Sequence, residues 1–206
     1  GYSSPSVEVS FFSTFEPDLS YARYQQDLAH QIATRLINVR LQRWEQDEDN
    51  VVNAANFYSS NVGRETTQAV FSLQLVEGEY QQATQGLFQF VAQLAQQGFS
   101  EAEVNGEISR LQGVIERGQD KKNYSIDLAG DLMVAAASGQ ILVSKDQAYE
   151  LNMYFLDRMT LQQVNEAFLD IIEPQSRLVL LTQPTDERKP KLASKWVESE
   201  WQMSMR

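Results

Sequence analysis

The stretch from Thr66 to Gln119 constrains the fold more than any other. Thr67, Ala69, Phe71, Leu73 and Leu75 alternate with Gln68, Ser72 and Gln74, the period-two signature of a strand with one buried face, although Val70 interrupts the polar side. Past a turn at Glu77 and Gly78 the period changes. Ala83, Leu87, Phe90, Val91 and Leu94 recur at three- and four-residue spacing, as a helix laying an apolar stripe on a flat surface requires. Gly98 ends that helix, because glycine takes a left-handed conformation without a Cβ penalty, and Phe99 is placed for the accompanying apolar contact. Ser100 with Glu103 is a capping-box pattern opening a second helix, whose stripe is Val104, Ile108, Leu111 and Ile115. The local plan is strand, helix, sharp corner, helix.

Other segments extend this plan on both sides. Val7, Val9 and Phe11 predict a first strand ending before Pro17, followed by a long helix with Leu28, Ile32, Leu36 and Val39 buried and Trp44 closing the stripe. The acidic run Glu45 to Asp49 belongs in a loop, since a helix C-terminus disfavours negative charge. Val51 to Ser60 reads as a weaker strand, joined to the next by a turn over Asn61 to Arg64. After the two central helices a third is expected from Tyr124 to Gly139, then one opened by Ser144 and Lys145, and one capped by Thr160 with Gln163 and stopped by Pro174. Arg177 to Thr182 contains a continuous Leu-Val-Leu-Leu run, which predicts a strand buried on both faces or central in its sheet.

Taken together these elements predict an α+β fold: an antiparallel or mixed sheet with helices on one face, in split βαβ, ferredoxin-like order with extra helices. The expected boundaries are a domain over 1–184 and a linker or tail over 185–206, where Asp186 to Lys191 are charged and Trp196 and Trp201 are docking points against the body or a missing neighbour.

At 206 residues and 42% hydrophobic, the chain holds one sizeable core. A net charge of -11, with no basic cluster, argues against a nucleic-acid partner. The lack of cysteine excludes disulfides and thiol chemistry and leaves the compartment open. No run reaches the ~18 apolar residues of a membrane span, and Gly1 to Ser6 has no signal-peptide character. A start at Gly1 suggests a processed or cut-out piece.

Candidate chemistry is sparse. His30 is the single histidine and is followed by Gln31, Ile32, Ala33 and Thr34, so no helical ligand pair for zinc forms. Glu101 with Glu103, Asp127 with Asp131, and Glu166 with Asp170 have the spacing of solvated helix faces. Serines lack a nucleophile elbow, the glycines form no phosphate loop, and Tyr80, Tyr124, Tyr149 and Tyr154 suit packing. No catalytic, cofactor-binding or metal-binding residue is assigned.

Several runs nevertheless resemble one family. Leu36-Ile37-Asn38-Val39-Arg40-Leu41, Glu77-Gly78-Glu79-Tyr80, the corner Gly98-Phe99-Ser100-Glu101-Ala102-Glu103, and Met159-Thr160-Leu161 through Val164-Asn165 to Pro174 and the strand Leu178 to Leu181 are similar to the non-catalytic domain of M16 zinc peptidases, the pitrilysin and insulinase relatives. The resemblance covers Val7 to Pro184. It implies that a separate catalytic domain, in the same chain or a partner subunit, carries the inverted motif H-x-x-E-H with zinc and a downstream glutamate. Ala33 and Thr34 stand where that motif needs Glu and His, so none of its roles transfers to His30. The implied role is to wall a peptide chamber, with an edge strand able to pair with substrate backbone. The parent would then be a zinc metalloendopeptidase of bacterial type, in the periplasm or cell envelope, and the tail from Asp186 would begin the connection to its next half. Two other readings are a stand-alone or subunit interaction scaffold, and a small enzyme using Asp127 or Asp131.

Overall fold

The computed structural model describes residues 5–14, 20–47, 51–62, 65–119, 133, 143–173, 176–182 and 194–205. The expected helix from Tyr124 to Gly139 and the charged segment Asp186 to Lys191 lie outside the described residues.

Apolar alternation builds β1 (Ser6–Thr14) and β3 (Thr66–Leu75), which bury Val7, Val9 and Phe11 against the same layer as Ala69, Phe71, Leu73 and Leu75. With β2 (Val52–Asn61) and β4 (Ser176–Thr182) they form an antiparallel sheet in the order β2-β3-β1-β4. That is the split βαβ arrangement: α1 (Tyr21–Glu45) carries the chain from β1 to β2, and β3 enters between them. The β2–β3 hairpin is the expected one, closed by the Val62 N–H on the Thr66 carbonyl at 2.7 Å.

Helices complete the core. Ser20 starts α1 by accepting the Arg23 N–H at 3.1 Å. The buried side of α1 is wider than expected: Ala29, Ala33, Ile37 and Leu41 are inside with Leu28, Ile32 and Leu36, whereas Val39 is only half-buried. A helix held between a sheet and further helices buries more than one stripe. Of the acidic run expected in a loop, Glu45 is instead the last residue of α1, Asp47 lies beyond the helix, and Glu48 and Asp49 fall outside the described residues.

Next come α2 (Tyr80–Gln97) and α3 (Glu101–Gln119), then α4 (Lys145–Leu156) and α5 (Leu161–Ile172), the last two opened by complete capping boxes at Ser144/Gln147 and Thr160/Gln163. Trp44 closes the α1 stripe by packing on Phe90 of α2, ring centroids 5.9 Å apart.

One expectation is overturned. β4 is an edge strand, paired with β1 alone, and Leu178 and Leu180 are 52% and 51% exposed. Its Leu-Val-Leu-Leu run has apolar residues on both faces, but among the described residues only Val179 and Leu181 meet the core.

Beyond β4, α6 (Ser194–Ser204) returns to the body. Trp201 is the anchor: it is buried, with its ring 5.7 Å from Phe11 and 5.2 Å from Phe88, and the Arg177 guanidinium lies 4.5 Å over it. The docking expected of Trp201 is therefore present, and Trp196 is half-buried.

Candidate functional site

His30 sits half-buried on α1, facing charges from two elements. Burial pushes its imidazole below the ordinary value; Asp170 of α5 and Asp27 oppose that, and Arg23 reinforces it. Both acids have other partners, since Asp170 accepts from Gln26 Nε2 at 3.4 Å and Asp27 pairs with Arg23 at 2.9 Å. One turn on, Ala33 is fully buried and Thr34 is half-buried.

The carboxylate pairs separate. Glu101 is exposed, whereas Glu103 takes a bidentate fork from Arg40 of α1, Nε at 2.8 Å and Nη2 at 2.7 Å. Glu103 also closes its capping box, accepting the Ser100 N–H and hydroxyl at 2.8 Å each. The Arg40 fork holds the Glu103 carboxyl down at about 2, against the opposing effect of burial and with help from Ser100. Glu166 accepts from Gln162 at 2.7 Å on its own helix face. Asp127 and Asp131 lie outside the described residues. Tyr80 and Tyr149 are half-buried, and Tyr154 is exposed with Arg158 stacked 3.9 Å over its ring.

The residues with the most directed contacts hold the Gly98 corner. Gly98 has φ +64°, and a Cβ there would lie 2.8 Å from Asn165 Oδ1. That oxygen accepts the Phe99 N–H at 2.7 Å, while Arg40 lies 5.2 Å over the Phe99 ring. One corner thus joins α1, α2, α3 and α5.

A second polar cluster lies along the outer edge of β2. Asn38 of α1 takes both backbone groups of Phe57, accepting its N–H at 2.9 Å and donating to its carbonyl at 2.8 Å. Glu45 accepts the Ala55 N–H at 3.2 Å, and the ladder shifts register between Val52 and Ala54. The sequence analysis gave neither Arg40 nor Asn38 a partner. The available signal was that Asn38 and Arg40 fall among Ile37, Val39 and Leu41, where a polar side chain needs a partner.

No protein-family model matches the sequence. The chain is 37% identical over 201 residues to the probable zinc protease PqqL of Haemophilus influenzae, a match covering 98% of this chain and 22% of that protein. In structure it is similar to the periplasmic protease PqqL of Escherichia coli, with a TM-score of 0.86 and 15% identity over 99% of this chain and 23% of that one. It superposes equally well, TM-score 0.86, on a structure of the first half of that protease, of which it covers 44%. The inactive peptidase domain of a candidate zinc protease from Bordetella parapertussis matches over 94% of this chain and 97% of its own, with a TM-score of 0.57 and 20% identity.

In sequence the chain is similar to part of a zinc protease, and in fold to one domain of these proteases. It spans less than a quarter of the length of the two PqqL proteins. Its α+β architecture, with one antiparallel four-stranded sheet and its helices, is that of these neighbours.

Proposed function

We propose that this chain is a non-catalytic domain of an M16 zinc peptidase: it walls a chamber for peptides and supports a separate catalytic domain that carries H-x-x-E-H. The observation that carries the reading is the donor set around His30. A zinc centre of the inverted type needs a second histidine and a glutamate on the same helix, and this chain presents a buried Ala33 methyl and Thr34 there, with both nearby acids already partnered. His30 and its neighbours do not fit the metal. The likeness to an inactive peptidase domain adds support.

In this reading zinc and the general base belong to the catalytic domain, and the parent is a metalloendopeptidase of the periplasm or cell envelope, as PqqL of E. coli is a periplasmic protease. Residues 1–184 are then the domain body and 185–206 the connection toward the parent's next half, with its helix α6 docked on the body through Trp201.

The test is zinc titration and peptide hydrolysis on the 206-residue chain beside the full-length parent. Zinc binding and cleavage by the parent, with neither in the chain alone, is the expected result. Stoichiometric zinc and peptide cleavage by the chain alone would overturn the reading. A parent chain with no H-x-x-E-H segment and no peptidase partner would favour an interaction scaffold instead.

A further inference from the structure

The two edges of the sheet are finished differently. β2 is closed to further pairing: its outward Phe57 N–H and carbonyl are both taken by Asn38, Ala55 N–H by Glu45, and the register shift at Val52/Ala54 bends the strand out of line. β4 has none of these devices. From Leu178 to Leu181 there is no charge, proline or bulge, and no backbone bond beyond its ladder to β1 is made among the described residues. Leu178 and Leu180, both half exposed, point to the face opposite Val179 and Leu181, which pack on the core.

An unguarded apolar edge is a template for aggregation, and folded domains keep one only where something covers it. A transient peptide would leave it bare between visits. A permanent occupant fits better, and the relatives point to a source for one, since the match to this chain covers 22% of the H. influenzae protein. We infer that β4 is the permanent seat of a strand from elsewhere in the same parent chain, which pairs along Ser176–Thr182 and lays alternate apolar side chains over Leu178 and Leu180. The incoming segment is extended, about 20 Å long for six or so residues, and the sheet grows only on the β4 side because Asn38 and Glu45 close the other.

The inference rests on the chain being one domain of a longer protein, and not on whether that domain is catalytic. Hydrogen exchange read by mass spectrometry, on the 206-residue chain and on the full-length parent without substrate, tests it. The expected result is exchange across Ser176–Thr182 at least tenfold slower in the parent, with β2 unchanged. Leu180→Lys should lower the melting temperature of the parent while leaving that of the isolated chain unaltered, which separates loss of the partner strand from misfolding of the domain. Equal exchange in the two forms would overturn the inference. So would protection in the parent that appears only on adding a peptide, which assigns the edge to substrate, or that grows with protein concentration, which assigns it to a second copy.

Discussion

The Gly98 corner and the Trp201 joint both hold helices to the body, by opposite means. The corner relies on direction: a bidentate Arg40–Glu103 pair, an Asn165 acceptor on the Phe99 N–H, and a backbone conformation that only glycine adopts easily. The joint relies on burial, with one indole between Phe11 and Phe88 under the Arg177 guanidinium. Directed contacts fix an angle between helices, and each contributes little to stability because its groups were solvated before folding. A buried aromatic contributes far more and specifies less. The difference teaches that the corner sets geometry and the joint sets whether α6 stays attached.

Substitutions can break this contrast. Trp201→Ala should have the largest effect, about 3 to 5 kcal/mol as for buried aromatics elsewhere. The check is urea denaturation together with loss of exchange protection in α6; a cost below that of the corner variants would reverse the comparison. Gly98→Ala comes next, at about 1 to 3 kcal/mol, because it adds both backbone strain and a Cβ against Asn165. Pairing it with Asn165→Ala should remove the clash and leave the strain, so the double variant should fall below the sum of the singles in a denaturation cycle.

Arg40→Met follows, at about 1 to 2 kcal/mol, reduced from the value of a dry charged hydrogen bond because the two side chains keep 23% and 20% exposure. This pair depends on pH. Glu103 titrates at about 2 in the fold against 4.5 when unperturbed, so its contribution is complete above about 4.5 and is lost as pH falls toward 2. Urea midpoints of the protein and of Arg40→Met should therefore converge on acidification; a constant gap would separate the pair from the corner's stability. The smallest effect concerns His30. Its lowered pKa means the unfolded chain binds the proton more readily, so stability falls as pH drops below 6.5, and His30→Gln should flatten that part of the profile.

Legibility in the sequence followed physical cause. β1, β3, the Gly98 corner, the helix start at Ser144 and the capping boxes at Ser100 and Thr160 were readable because each is decided within a few residues, by alternation or by a side chain reaching its own backbone. β4 was misplaced because period and composition report what a strand can bury and not what covers it; Leu178 and Leu180 look like core when the covering surface is absent. The helix α6 was hidden by Lys195, Glu198 and Glu200, although Trp201 within it marked a contact. At the candidate site, the position of His30 on α1 was readable. The pairing of Arg40 with Glu103 and of Asn38 with Phe57 was not, since those partners are far apart in the chain and meet only once the helices pack.

The central position of β1 bears on how this polypeptide is made. Its neighbour on one side, β3, follows after α1 and β2, but its neighbour on the other, β4, follows every described helix except α6. Within this stretch Val7, Val9 and Phe11 are translated early and their strand is enclosed late, so the nascent chain carries a half-paired apolar ribbon from the completion of β3 until β4 is made. Closing so long a loop is slow, and whatever shields that ribbon in the meantime, chaperone or ribosome surface, governs the yield of folded protein.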